Sequence, residues 1–362
     1  MKTKLSSVVV IALIVVACAA LFVASLTIGT EHVGIGQAIA EWRSGTPINE
    51  APALSILINQ RLPRTLAAFI VGCGLSLAGC AFQALLRNPL ATPYTLGIDS
   101  FGALGAWTAT IAMQAMAVAG AADAWPGARF LSEYVVTFDV LGFSLVQVCA
   151  FAFAAVDMLL IYAMATRSTR MAPSVLLLAG VTLGLLANSG ILFMRYLAQP
   201  DRLVNMDRWL MGGVDIIGYE PVIALVIGVT PCVIVLLAQA SRFDQLGFGE
   251  ELASGRGVNV KRLQITTFLV CSLMTGVIVS KVGPIGFVGL IVPHAVRALT
   301  GSRHRVLMPM TLLAGGGFLC VCDIVSRKVM TGETPIGIIT SLIGAPFFLY
   351  LLMRRRFTDW EV

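Results

Sequence analysis

The sequence predicts an all-α, polytopic membrane protein, and three observations carry that expectation. Of its 362 residues, 57% are hydrophobic and only 12% charged, with a mean hydropathy of +0.88. A soluble fold of this size needs more charge to cover its surface. Apolar runs of about 20 residues recur along the whole chain, each long enough to cross about 30 Å of hydrocarbon as a helix. Basic residues gather in alternate connecting segments, the bias that orients membrane helices. We therefore expect a single transmembrane domain over residues 1–362, with about ten spans and both termini cytoplasmic.

Span one covers about Val8 to Ile28, behind Lys2 and Lys4. Val15-Val16-Ala17-Cys18 resembles a lipoprotein cleavage box, but the apolar run continues to Ile28 and reads as an uncleaved span. A polar segment, Gly29 to Leu62, leads to span two, from Arg64 to near Leu86. Gly72, Ser76, Gly79 and Gln83 lie at helical spacing along it, a face that lets another helix approach closely. Arg87 to Gly97 reads as a turn-rich loop, because Pro89 and Pro93 block a continuous helix. Span three is about Ile98 to Ala119, followed by a Gly120–Thr137 loop. Span four is about Phe138 to Thr166, closed by Arg167 and Arg170, and span five runs from Pro173 to Tyr196. The segment Leu197–Tyr219 is read as a polar loop, carrying Asp201, Arg202, Asp207, Arg208, Asp215 and the pair Gly212-Gly213. Span six is Pro221 to Ala240, and span seven Leu263 to Val282. Ile285 to Leu299 has only 15 residues, short for a crossing. Span seven leaves a basic loop, and the next short loop holds Arg297, Arg303 and Arg305; both are expected to be cytoplasmic, so this stretch must return across and counts as span eight. Span nine is Val306 to Val329, and span ten Pro335 to Met353, ending in Arg354-Arg355-Arg356. This topology places 15 of the 25 basic residues on the cytoplasmic side.

Between spans six and seven lies Ser241 to Arg262, a charged interlude in a chain poor in charge. Asp244 to Ser254 has the length for about three helical turns with both faces wet, and Gly255 and Gly257 break that helix. A short surface helix held between two spans suits the receipt of force from a soluble partner; a solvated connecting loop is the other reading. At the opposite side, Arg61 and Arg64 stand at the outer end of span two, against the orientation bias. They read either as docking points for acidic side chains, which a guanidinium fork takes bidentately, or as snorkelling anchors. Asp323 and Arg327 are four apart on span nine, hence neighbours on one face. Asp157 inside span four must face a polar interior or a partner rather than lipid.

Several classes are excluded. The sequence has no glycine-lysine phosphate loop and no dinucleotide fingerprint, so no nucleotide site of its own. The eight cysteines lie in apolar runs and read as packing residues, and Cys320 and Cys322 are too close to share a helical face. His32, His294 and His304 fall in separate segments; no metal cage and no nucleophile–base pair is visible. No basic stripe with interleaved aromatics points to nucleic acid. We expect a chain that is not an enzyme.

Longer motifs then carry a resemblance. Arg61-Leu-Pro-Arg64, Gly79 to Gln83, and Asn88-Pro89-Leu90-Ala91 with Pro93, Leu96 and Gly97 are similar to the first signature of the FecCD permeases. These are the membrane subunits of type II ABC importers for iron-siderophore, haem and cobalamin. The second half agrees: Glu250-Glu251-Leu252-Ala253 with Gly255 and Gly257; Gly283-Pro284-Ile285-Gly286 with Gly289; then Pro293-His294 and Arg297. Asp323, Arg327, Pro335-Ile336-Gly337 and Gly344-Ala345-Pro346 complete it.

The resemblance implies a ten-helix permease, usually paired with a second copy. Two ABC ATPase subunits would bind from the cytoplasm and hold the ATP-Mg, leaving no cofactor in this chain. A periplasmic or lipoprotein binding protein would deliver the metal chelate. It implies that the coupling segment, residues 241–262, rests in an ATPase groove through Asp244, Leu246, Gly247, Glu250, Glu251, Ala253, Gly255 and Gly257. It implies that Arg61, Arg64 and Arg327 receive the binding protein, and that span five, the loop after it and span ten flank the pathway. Phe101 departs from the pattern, where the family often has a small residue, and puts close packing at that corner in doubt. The function expected is import of a metal chelate, ferric siderophore first, across the inner membrane by alternating access. Cobalamin or haem import is the alternative. The rivals from other classes are an ion-gradient transporter using Asp157 and a receptor without transport.

Overall fold

The computed structural model describes residues 7–29, 35–45, 47–118, 144–167, 173–329 and 334–353. Its axis is helix α4 (Leu62–Leu86), with α1 (Ser7–Thr27), α2 (Ile35–Arg43) and α3 (Pro52–Ile56) before it. In the Pro52–Leu86 stretch 83% of the most apolar window is buried, against 11% for α1, so α4 is central and α1 peripheral. Around it stand α9 (Glu220–Ala238), α12 (Val260–Val282), α13 (Val288–Thr300) and α14 (His304–Val329). A second group, α5 (Ile98–Val118), α6 (Leu145–Arg167) and α7 (Pro173–Leu197), packs on α12 through α5 and α6. Helix α15 (Ile336–Met353) closes the chain against α13 and α14.

The small-residue face of α4 explains its central place. A Cβ on Gly72 would stand 2.2 Å from the Gly315 carbonyl oxygen, and one on Gly79 2.0 Å from that of Gly289. The backbones of α14 and α13 therefore lie directly on α4. Ser76 donates to the Thr311 carbonyl (3.0 Å) and the Gln83 amide nitrogen to that of Gly289 (3.0 Å), so the side-chain donors of the face are satisfied across the same contacts. This is helix association without a hydrophobic drive, by close approach and interhelical hydrogen bonds.

Among the described residues, seven helices are long and apolar enough to cross a membrane, and Val288–Thr300 and Ile336–Tyr350 are shorter apolar ones. With the 21-residue α5 they fall on the ten expected spans. The expected boundaries differ in four places. The segment Gly29–Leu62 is not merely polar connection: α2 and α3 lie in it, and the helical path into span two starts at Pro52. Pro52 stands at the first helical position, where its missing N–H costs nothing. A π-helical turn, Leu57–Arg61, joins α3 to α4. Pro63 lacks the N–H that would bond Asn59, and that carbonyl accepts from Gly218 N–H instead (3.2 Å). The Ile58 carbonyl takes the Tyr219 hydroxyl (2.8 Å).

The Leu197–Tyr219 loop contains helix α8 (Pro200–Leu210). Leu203, Met206, Trp209 and Leu210 form its apolar face, packed on Trp107 and Ala103 of α5. Its charges hid that spacing; Arg195 and Asp207 pair on the outer side at 2.9 Å. Span seven begins earlier than Leu263, at Val260, because Asn259 caps α12 by accepting from the Arg262 N–H (2.9 Å). In span eight, only 13 residues are helical, and Gly283 to Phe287 enter as non-helical backbone. The loop at 120–137 and the start of span four, 138–143, lie outside the described residues, as do Lys2, Lys4, Arg170, Glu333 and Arg354 to Arg356. At the Phe101 corner packing is close despite the larger side chain. Phe101 is 7% exposed, and a Cβ on Gly97 would lie 2.9 Å from the Gly180 carbonyl oxygen.

Candidate functional site: two polar ends and the broken helices between them

At one end of the bundle, α4, α14 and α1 meet through charge. Asp323 is fully buried and accepts from Arg64 Nε at 2.9 Å and from Arg327. Arg327 also donates to the Ser25 carbonyl (3.0 Å) and hydroxyl (2.9 Å). Arg61 donates to the carbonyls of Leu26 and Thr27 at 3.3 and 3.0 Å, the orphan acceptors at the end of α1. Arg61 is 6% exposed and Arg327 4%, so these cations are engaged inside the fold. The expected Asp323–Arg327 neighbours are thus a pair, widened by Arg64 into a triad that neither cation makes alone.

At the opposite end stands the segment expected to be one wet helix. It is two helices, α10 (Ala240–Leu246) and α11 (Glu250–Gly255), broken at Gly247-Phe248-Gly249. Gly249 adopts φ +119, outside the range of a side-chain-bearing residue, and stops a continuous helix. Nor are both faces wet: Phe243, Leu246 and Ala253 are buried to 0%, 1% and 0% exposure. Phe248 and Leu252 are exposed, with Glu250 and Glu251 beside them, and Arg256 lies over the Phe248 ring at 5.3 Å. Gly257, at φ +85, makes the turn that Gly255 was expected to share; Gly255 is the last helical residue.

Two contacts tie this pair to long helices. Asp244 accepts from the His304 backbone N–H and pairs with its Nδ1 (3.0 Å), which caps α14. Glu250 accepts from Gln264 of α12 at 3.2 Å. Any displacement of α10 and α11 therefore acts on α14 and α12 through short polar links.

Between the ends, two non-helical segments meet. In Arg87–Gly97, Asn88 Oδ1 accepts from the Leu90 N–H (2.8 Å), and Pro89 and Pro93 keep the chain in turns until Gly97, at φ +83, starts α5. Tyr94 from this loop lies against Gly286, 3.7 Å from where a Cβ would stand. The backbones of Gly283, Pro284, Gly212 and Gly337 cross beside it. A Cβ on Gly212 would come within 2.2 Å of the Pro284 oxygen, on Gly283 within 2.2 Å of Trp209 oxygen, and on Gly337 within 2.1 Å of Met211 oxygen. Gly337 N–H donates to the Gly212 carbonyl (3.0 Å) and Gly213 N–H to that of Val282 (2.9 Å). The sequence motifs around residues 212, 283 and 337 are thus one crossing, which their separation in sequence concealed. Pro293 lies inside α13, and His294 faces Phe347 of α15 edge-on at 6.5 Å.

This is the fold of a type II ABC importer permease: a multi-pass helical bundle, an exposed helix pair between two spans, and broken helices in its interior. The chain belongs to the FecCD transport family, which matches residues 13–354. It is 37% identical over 347 residues to the cobalamin import system permease protein of Halobacterium salinarum, covering 92% of this chain and 85% of that one. It is 34% identical over 302 residues to the Fe(3+)-citrate import system permease of Bacillus subtilis, covering 82% and 81%. A solved metal-chelate type ABC transporter, in an inward-facing conformation, superposes with a TM-score of 0.75 at 25% identity, over 96% of this chain and 100% of the other.

Proposed function

We propose that this chain is the permease subunit of an ATP-driven importer that carries a metal chelate through the cytoplasmic membrane by alternating access. The observation that carries the reading is the α10–α11 pair: exposed Phe248, Leu252, Glu250 and Glu251 on one side, and links to α14 and α12 on the other. It supports a surface that a soluble ATPase grips and moves. On this reading the α10–α11 end and both termini are cytoplasmic. The partners are two ATPase subunits holding ATP-Mg, a substrate-binding protein outside, and a second copy of this permease; the chain itself needs no cofactor.

The interior crossing at residues 212, 283 and 337 supports a pathway. Irregular backbone inside a membrane bundle is tolerated where it is enclosed by protein or lines a cavity, and transporters place substrate at such breaks. Outer docking would involve Arg61, Arg64 and Arg327, with an incoming carboxylate competing with Asp323 for the forks of Arg64 and Arg327. The cargo is a ferric siderophore or cobalamin; the Halobacterium relative, named for cobalamin, sets the second beside the first.

The test is uptake of radiolabelled ferric siderophore and cobalamin by proteoliposomes holding this chain with its ATPase and binding protein. ATP-dependent entry of one cargo is expected. Entry that persists without the ATPase would sink the importer reading and favour the second one, an ion-coupled transporter. That alternative has one observation behind it: Asp157 is 0% exposed, and neither of its carboxylate oxygens has a hydrogen-bond partner among the described residues.

A further inference from the structure

A cavity of about 1100 Å³ opens beside α10, walled by the ends of α4 and α13, the start of α14, and Phe347 of α15. Four arginines line it: Arg87, Arg297, Arg303 and Arg305. Among the described residues that line it, the one carboxylate, Asp244, already holds His304. Arg87 adopts a left-handed conformation, φ +44, uncommon for a residue with a side chain and maintained only where the surroundings impose it. The remaining wall is apolar, from Ala84, Ala295, Ala298, Phe248 and Phe347.

Cations beside an apolar wall specify a ligand with an anionic phosphate and a hydrocarbon part. We propose that this cavity binds the headgroup of an anionic phospholipid of the cytoplasmic leaflet, of which phosphatidylglycerol is the simplest member. The phosphate meets the arginines, and the acyl chains leave along the alanine wall. Basic pockets between membrane helices on the cytoplasmic side take anionic headgroups in this way. The assignment rests on the orientation proposed above. A soluble phosphate would satisfy the cations and leave the apolar wall wet. Because the lipid touches α10 and the capped end of α14 together, its occupancy bears on the joint through which the ATPase acts.

The test is native mass spectrometry of the full chain in detergent, with phosphatidylglycerol, phosphatidylcholine or glycerol 3-phosphate added. It needs no transport, so its outcome is independent of the uptake assay. We expect one retained phosphatidylglycerol per chain and a clear preference over phosphatidylcholine. Arg303→Glu with Arg305→Glu should reduce that preference by about tenfold or more. Ala298→Trp, which crowds the apolar wall and removes no charge, should weaken it in protein of unchanged elution and thermal midpoint. Lys261→Glu with Arg262→Glu reverses exposed charge outside the cavity and should leave it intact. Equal retention of both lipids, or an equal loss in the Lys261/Arg262 variant, overturns the proposal. So does displacement of the lipid by glycerol 3-phosphate at matched concentration, which assigns the cavity to a soluble phosphate. Displacement by the ATPase subunit with no lipid preference assigns it to a protein partner and overturns it as well.

Discussion

Asp323 holds two guanidinium groups in a place with almost no water: its own side chain is 0% exposed, Arg64's 11% and Arg327's 3%. Asp323→Asn removes the shared counter-charge and leaves two cations uncompensated. Breaking a buried pair in this way costs about 3–5 kcal/mol, so the thermal midpoint in detergent should fall steeply. Arg61→Glu with Arg64→Glu is the sharper test of docking. It should weaken capture of the binding protein, most visibly at low salt, since steering by charge is screened as ionic strength rises. Unchanged low-salt affinity in a folded variant would leave these residues a purely internal role. Two glycines near the other end separate backbone strain from propensity. Gly257→Ala meets no neighbouring atom but must hold φ +85, and should destabilise by roughly 1 kcal/mol. Gly255→Ala, helical and equally open, should be neutral or slightly stabilising. Thermal unfolding of the two variants side by side decides it.

At the scale of the element, the α10–α11 pair is where force enters on the proposed mechanism. Glu250→Lys with Glu251→Lys should abolish ATP-dependent uptake while the permease still folds, because both carboxylates are exposed. Retained uptake in that variant would exclude this face as the grip. How much of these elements was legible beforehand follows from what each one depends on. The spans were legible because twenty apolar residues in a row admit few alternatives, and the small face of α4 because its spacing is that of a helix. The α10–α11 break was not. Gly247 and Gly249 flank it, yet the charges around them suggested one solvated helix, and the burial of Phe243 and Leu246 comes from α4 and α14, far away in sequence. Helix α8 is hidden for the same reason, since its apolar face is interleaved with five charged or polar residues and only α5 gives it a surface to cover. Arg61 and Arg64 stand out in the sequence as anomalous cations, but the carboxylate that joins Arg64 to Arg327 is a tertiary fact. The crossing of residues 212, 283 and 337 depends on three segments meeting, which no local pattern encodes.

Across the whole molecule, Asp157 separates the two classes of transporter. Asp157→Asn should leave ATP-dependent uptake unchanged if motion of the helices drives transport, and stop it if proton or ion binding at that carboxylate does; initial rates in proteoliposomes distinguish them. The longest consequence belongs to α14. Its 26 residues extend about 39 Å at 1.5 Å each. Asp244 clasps its first residue, and Arg64 clasps Asp323 near its last turn. A rod fastened at both ends cannot shift at one without loading the other. By thermodynamic reciprocity, whatever binds one terminus with a preference for one position of the rod must alter affinity at the other by the same factor. A delivery protein arriving outside and a nucleotide arriving inside would then be felt by each other through a single helix, with no message passed along the chain.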